Sequence, residues 1–380
     1  MLNPQRPDPR SNELVIRQLT DDPNANPMAL GCAACLLKET CGGLRVRENI
    51  MDCLDLCCGN PSGCTRVCRN KTAAYVDQVR EIGDFYLRNV PRAPTMPVRL
   101  DHLIVPLIYH GSSRVDALRN DIFALRLPDL INYSTGELRF NTRRELCAAF
   151  HISPDAEIML TGVNQDTRIE PWWGLAEQRI AIIRALVELG IKLVTVPNFS
   201  LVLDHPRHDD MHAMKRIGLV FSEFLNSGMP CALHPNGRTE QDFERWRRFI
   251  ASRDEVQVLA YEFTTGPARK ARTTFHLEQL AKLADGAGRD LDIIIYGKPD
   301  VIPILRKSFR KVVYIETTSF MKSVKRQKAT RENNAELGWT SAPTEIGEAI
   351  DPIFAHNLYE RALYLKAKYY SGLEALSKAA

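Results

Sequence analysis

Three short apolar runs decide the fold: VQVLAYE at residues 256–262, LDIIIY at 291–296 and KVVYIE at 311–316. Nearly continuous apolar runs of this length are typical of parallel strands that are buried on both faces of a sheet. Amphipathic stretches with helical spacing separate them, at Thr273–Ala284 and Pro299–Ser308. The alternation predicts β-α units rather than hairpins.

The same alternation continues towards the N-terminus. The predicted strands are His102–Tyr109, Ile122–Ile131, Glu157–Thr161, Lys192–Val196, Met229–His234, Val256–Glu262, Leu291–Tyr296 and Lys311–Glu316. The other predicted helices are Gly174–Leu189, Asp210–Leu225, Glu240–Ala251 and a last helix over about 351–378. Strands and helices in this order predict the α/β class and a TIM-type (β/α)8 barrel, with a doubly wound open sheet as the alternative.

Composition places the chain among ordinary globular proteins. It has 380 residues, of which 44% are apolar and 25% charged, with a formal net charge of +4. These values exclude global disorder, collagen and coiled coil. The net charge is too small to imply nucleic-acid binding by itself.

Residues 1–30 form a polar, proline-rich arm without the apolar segment of an export signal. The chain also contains no apolar run of about 18 residues, the length that a membrane-spanning helix needs. We therefore expect a cytoplasmic protein with no membrane partner.

Residues 31–90 are predicted to form a cysteine-rich module plus a helix at 72–89. The cysteines are spaced C-x2-C-x5-C-x11-C-x3-C-C-x5-C-x3-C. The predicted metal ligands are Cys32, Cys35, Cys41, Cys53, Cys57, Cys58, Cys64 and Cys68. In a reducing compartment such density indicates metal binding rather than disulfides. Only one C-x2-C knuckle is present, which slightly favours an iron–sulfur cluster (4Fe-4S) over zinc. The metal could also serve only to fold a module too small to build its own core.

The proline-rich linker 91–97 separates this module from the predicted barrel and its long last helix at 98–380. Cys147, in a helix-like stretch, and Cys231, in an apolar strand, are predicted to be buried packing residues.

In a TIM-type barrel the chemistry lies where strands end and βα-loops begin. The polar residues predicted at this edge are Asn198, Ser200, His234, Asn236, Glu262, Lys298 and Glu316, with Asp166 and Asp204 as further carboxylates. They predict a ligand site, although such residues also serve as helix caps and loop hydrogen bonders.

Three further motifs have two interpretations each. Trp172 and Trp173, placed on a loop, could stack on a base or simply pack over the rim. Residues 204–212, DHPRHDDMH, could bind a metal, or Asp209 or Asp210 could cap a helix that exposes His208 and His212. The basic run 322–331 could contact phosphates or form a solvated loop.

The N-terminal cysteine cluster, REIG at 80–83, PNFS at 197–200 and DHPR at 204–207 together resemble a group of bacterial barrels. This group is similar to tRNA-guanine transglycosylases, and some members resemble accessory proteins of type IV CBASS anti-phage operons. The chain lacks the DSGGFQ-type segment and the C-terminal C-x-C-x2-C zinc site of true transglycosylases.

The resemblance implies binding or exchange of a guanine or 7-deazaguanine nucleobase on a nucleic acid, in anti-phage defence, with a protein partner from the same operon. Exchange would need a carboxylate nucleophile, for which Glu262 and Asp204 are the candidates, and His234 as acid or base. Asn198 and Asn236 would contact the base edge. The alternative is a non-catalytic barrel whose metal-folded module binds a protein or a nucleic acid.

Overall fold

The computed structural model describes residues 77–78, 80–201, 207–268, 270–331 and 336–371. The polar arm, the eight clustered cysteines and Asp204 lie outside the described residues. Predictions that rest on them stay predictions, as does the domain boundary at 91–97.

Parallel strands form two four-stranded sheets. The first has the order β1 (Ile104–Pro106), β10 (Lys311–Glu316), β9 (Asp292–Tyr296) and β8 (Val258–Glu262). The second has the order β2 (Ile122–Arg126), β5 (Glu157–Thr161), β6 (Leu193–Thr195) and β7 (Cys231–Ala232). Two antiparallel hairpins join β3 (Ile131–Asn132) to β4 (Glu137–Leu138) and β11 (Gln327–Thr330) to β12 (Gly338–Ser341).

Isolated parallel bridges connect the edges of the two sheets. Leu107, just after β1, pairs with Ala124 of β2, and Leu233, just after β7, pairs with Leu259 of β8. The amide of Ile108 donates to Ala124 at 3.0 Å, and that of Ala260 donates to Leu233 at 2.7 Å. Both edges of each sheet therefore have a hydrogen-bonded neighbour in the other sheet.

Helices follow most strands. They are α1 (Arg143–Phe150), α2 (Asp166–Gly174), α3 (Gln178–Glu188), α4 (Arg207–Asn226), α5 (Glu240–Ala251), α6 (Lys270–Asp285), α7 (Ile302–Leu305), α8 (Thr318–Val324) and α9 (Asp351–Tyr369). The α/β class with parallel sheets is confirmed. Cys147 and Cys231 are buried, as predicted, and burial raises the pKa of both thiols.

Alternate strand residues build one apolar cluster. It contains Val258 and Ala260 of β8, Ile294 of β9, and equivalent positions on the other parallel strands. Tyr109 and Tyr296 pack against this cluster near the carboxyl ends of their strands. Because successive strand residues point to opposite faces, the residue two positions beyond a cluster member shares its face.

The described chain divides into two compact units. One contains the described residues up to Phe85 together with Leu201–His212 and Gly237–Asp242, and the other contains all the parallel strands. Within the first unit, residues 77–78 and 80–82 are helical. There His212 Nε2 lies 2.7 Å from Glu81 Oε2, and His208 Nδ1 lies 2.5 Å from Gln78 Oε1.

The prediction that His208 and His212 share an exposed face is wrong, because both are buried against this helical segment. Among the residues that the structure describes, no group of three or more His, Cys, Asp or Glu side chains could hold a metal ion.

Three element predictions are also corrected. The predicted strand 122–131 ends at Arg126, because Pro128, which has no N–H to donate, lies in a 3-10 turn at Leu127–Asp129. Trp172 and Trp173 lie on helix α2 rather than on a loop. The basic run 322–331 forms the end of α8 and strand β11 rather than a loop.

Candidate binding site at the carboxyl ends of the strands

Glu262 is the last residue of β8 and extends the alternation of Val258 and Ala260, so it shares their face. Its side chain is buried. One carboxylate oxygen accepts from the Thr264 amide at 2.8 Å and from the Thr264 hydroxyl, and the other accepts from the Thr265 hydroxyl at 2.8 Å. The turn after β8 therefore fixes the carboxylate in one orientation.

His234 follows β7 and is 1% exposed. Its ring stacks on Tyr261, with the ring centroids 5.3 Å apart and the planes 9° from parallel. The Tyr261 hydroxyl is in turn hydrogen-bonded to His276 Nδ1 of α6 at 2.7 Å. Tyr261 and His276 thus hold the plane of the His234 imidazole.

Neither ring nitrogen of His234 has a hydrogen-bond partner in another described residue. A buried polar group without a partner costs about 1–3 kcal/mol, which a ligand or an ordered water bonded to it would offset. Asn164 Nδ2, after β5, and Trp172 Nε1 are also buried nitrogens without a hydrogen-bond partner among the described residues.

Burial lowers the pKa of His234 to about 4, and the negative charge of Glu262 opposes this shift only in part. The imidazole is therefore neutral at pH 7. A neutral imidazole offers one N–H donor and one nitrogen acceptor. His234 and Glu262 follow neighbouring strands and interact electrostatically.

The two asparagines predicted to contact a base connect the loops around the site. Asn198 Oδ1 accepts from the Asn164 amide at 3.2 Å. Asn236 Nδ2 donates to the Phe199 carbonyl at 2.9 Å, while the Asn236 carbonyl accepts from Trp246 Nε1 at 2.8 Å. These bonds hold the segments after β5, β6 and β7 together.

Two other predicted residues also have partners within the protein. Ser200 donates to Asp166 at 2.7 Å, at the first residue of α2. The ammonium of Lys298 lies 3.8 Å from Asp300, and its side chain is 36% exposed.

Glu316 caps helix α8 rather than facing the apolar cluster. Its Oε1 accepts from the amides of Thr318 at 2.7 Å and Ser319 at 3.2 Å, and Arg361 lies 3.6 Å away. A carboxylate at a helix N-terminus is stabilised by the unpaired amides and the helix dipole. This geometry favours the capping interpretation of Glu316.

The adjacent tryptophans already have ring partners. Trp172 is 1% exposed and stacks on Phe224, with centroids 5.5 Å apart and planes 7° from parallel. The guanidinium of Arg179 lies 4.4 Å from the Trp173 ring centroid. The packing interpretation of this pair fits these contacts better than base stacking does.

Sequence reasoning missed Arg126 and Tyr296 as site residues. Tyr296 ends β9 and its hydroxyl lies 3.2 Å from that of Tyr109, while the Arg126 guanidinium lies 4.8 Å from the Tyr109 ring centroid. Both residues lie two positions after a strand residue of the apolar cluster, Ala124 or Ile294, so the alternation of strand residues would have placed them on the same face. The prediction that β2 continued to residue 131 placed Arg126 in mid-strand and concealed it.

No known protein-family model matches this sequence, and comparison with curated proteins also finds no match. In the described part of the chain, none of the helices combines the length and the apolar character needed to cross a bilayer.

Proposed function

We propose that this chain binds a guanine-like nucleobase at the carboxyl ends of its parallel strands, as a distant relative of tRNA-guanine transglycosylases. The observation that carries the proposal is the buried pair His234 and Glu262. One has two unsatisfied ring nitrogens, and the other is a carboxylate held in a fixed orientation.

The chemistry of the pair fits the polar edge of guanine. Guanine presents a ring N–H and an exocyclic amino group side by side, and Glu262 Oε1, which accepts one hydrogen bond from Thr265, can accept a second from the amino group. Neutral His234 supplies a donor for a carbonyl oxygen or ring nitrogen. A site built to satisfy such groups rejects an analogue that lacks one of them, because a buried partner is then left unpaired.

The surroundings of Glu262 favour binding over base exchange. As a nucleophile it would attack the anomeric carbon of a nucleoside, form a glycosyl ester and release the base. Its oxygens already accept three hydrogen bonds from Thr264 and Thr265, which stabilise the charge that such an attack consumes. Asp204, the other candidate nucleophile, lies outside the described residues.

We also propose that the two parallel sheets close into one (β/α)8 barrel. The bridges between Leu107 and Ala124 and between Leu233 and Leu259 support closure at both edges. A closed barrel brings the carboxyl ends of all eight strands to one rim, where this fold places its ligands.

The base proposal is tested by thermal unfolding with 7-deazaguanine and with 7-deazahypoxanthine, which lacks only the 2-amino group. We expect 7-deazaguanine to raise Tm, since a ligand at a hundredfold excess over Kd stabilises by about 2.7 kcal/mol. The Glu262→Gln variant should lose this shift because it replaces one acceptor with a donor.

Glu278→Gln, at an exposed position on α6, is the matched control and should keep the shift. Equal shifts with both ligands would contradict a role for Glu262 in reading the amino group. The absence of any shift would overturn the proposal in favour of the non-catalytic, partner-binding barrel.

We further propose that the eight clustered cysteines bind metal, with a 4Fe-4S cluster slightly favoured over zinc. The support is their spacing, since the residues lie outside those that the structure describes. Anaerobic purification followed by an ultraviolet–visible spectrum and metal analysis tests this. A colourless protein with stoichiometric zinc would contradict the cluster, and a protein without bound metal would contradict both.

A further inference from the structure

Four side chains follow one another along the strand ends, starting from Glu262. Glu262 of β8 is paired in register with Tyr296 of β9. The Tyr296 hydroxyl lies 3.2 Å from that of Tyr109, which follows β1, and Arg126 of β2 covers the Tyr109 ring at 4.8 Å. This row of side chains therefore has a carboxylate, Glu262, at one end and a guanidinium, that of Arg126, at the other.

The far end of this series carries an excess of positive charge. Arg126 donates to both oxygens of Asp129, at 2.7 and 3.0 Å. Arg168, in the first turns of α2, donates to the same carboxylate at 2.9 Å. Two guanidiniums share one carboxylate, so the three groups sum to one positive charge.

Arg168 is the accessible member of this trio. Its side chain is 50% exposed, compared with 25% for Arg126 and 11% for Asp129. An arginine has five N–H donors in a planar fork that matches a phosphate, and Arg168 directs one nitrogen to Asp129. The remaining face of its guanidinium can therefore meet an anion from solvent.

We infer that the ligand of this site is a nucleotide, whose 5′-phosphate binds at Arg168 while its base lies at Glu262 and His234. The inference rests on the proposed function. It adds the phosphate and assigns the sugar to the Tyr109–Tyr296 hydroxyl pair, which lies between the two charged ends of the series.

The charges favour a phosphate beside Arg168 and disfavour one beside Glu262. A phosphate monoester carries a charge of about −1.5 to −2 at pH 7, which Glu262 would repel and the arginine pair attracts. A ligand with hydrogen-bond donors at one end and an anion at the other can bind in only one orientation. The charges therefore place its base at Glu262 and its phosphate at Arg168.

Isothermal titration with guanosine and guanosine 5′-monophosphate tests the inference. We expect the monophosphate to bind at least about tenfold more tightly, which corresponds to about 1.4 kcal/mol. The advantage should shrink at high salt because half-exposed charges are screened. In Arg168→Gln the two ligands should differ by less than about threefold, while guanosine keeps its wild-type affinity.

The matched control is Arg248→Gln, which removes the same charge from a 65% exposed side chain in the last turn of α5. It should keep the full advantage of the monophosphate. Equal affinities of wild-type protein for the two ligands would overturn the inference and leave base binding intact. If the monophosphate keeps its advantage in Arg168→Gln, the phosphate binds elsewhere and the inference is also overturned. If neither ligand binds, the proposed function is overturned as well.

Discussion

The neutrality of His234 has a consequence for stability. Its pKa is about 4 in the folded protein and ordinarily 6.5, so the unfolded chain binds a proton at a higher pH than the folded chain does. Stability from this residue is complete above pH 6.5 and is lost as the pH falls towards 4. A difference of this size corresponds to about 3 kcal/mol.

We therefore expect the free energy of unfolding of the wild type to fall between pH 6.5 and 4 by up to about 3 kcal/mol more than that of His234→Phe. Urea unfolding at several pH values measures both. Parallel curves for the wild type and His234→Phe would show that the imidazole titrates normally.

At the scale of single elements, helix α8 depends on Glu316 for its first turn. In Glu316→Gln the capping charge is lost and Arg361 loses its counter-charge, so we expect a destabilisation of about 1–2 kcal/mol. Binding of 7-deazaguanine should change by less than about twofold. A large loss of affinity with little loss of stability would instead place Glu316 in the binding site.

Gly162, directly after β5, lies close to the backbone at the end of β6. A Cβ atom there would lie 2.5 Å from the Thr195 carbonyl oxygen and 2.6 Å from the Pro197 nitrogen, both of which are backbone atoms. We expect Gly162→Ala to destabilise the protein by about 1–3 kcal/mol because the backbone must move. Chemical denaturation measures this change.

The control for this variant is Gly174→Ala at the end of α2, where a Cβ atom would meet no atom within 4 Å. Alanine is the better helix former, so this variant should be neutral or slightly more stable. Equal effects of the two substitutions would contradict the close approach at Gly162.

At the scale of the whole molecule, amide exchange tests the proposed closure of the barrel. If the two sheets are joined at both edges, the amides of Ile108, Leu233 and Ala260 should exchange as slowly as that of Ile294 in the centre of a sheet. Hydrogen exchange followed by NMR measures each amide. Fast exchange at Ile108 and Leu233 would indicate two separate sheets.

Local patterns predicted much of this architecture. The bounds predicted for Glu240–Ala251 and Lys311–Glu316 are those observed, because a strong helical period and a short apolar run are both local signals. The errors at the end of β2 and in α2 arise where two local signals predict different structures. Pro128 lies among apolar residues that continue the pattern of β2, and α2 contains Pro171, which is unfavourable in a helix.

The site was predicted less completely than the fold. Position alone placed His234 and Glu262 at strand ends, but the stacking on Tyr261 and the missing partners of His234 depend on residues far away in the chain. Likewise, Glu316 and Asn236 are strand-end polar residues like Glu262. Glu316 and Glu262 both accept hydrogen bonds from residues two and three positions further along the chain, so this local pattern does not distinguish a helix cap from a ligand-binding carboxylate. The bonds of Asn236 are to residues far away in the chain.

The layered arrangement of the apolar cluster also bears on how this protein can evolve. Val258 and Ala260 lie beneath Glu262, and Ile294 lies beneath Tyr296, on the same faces of their strands. The terminal polar layer can thus be exchanged one side chain at a time while the layers below keep their packing. If the terminal layer binds the proposed base, selection can change ligand preference there while the packing that folds the sheets stays the same.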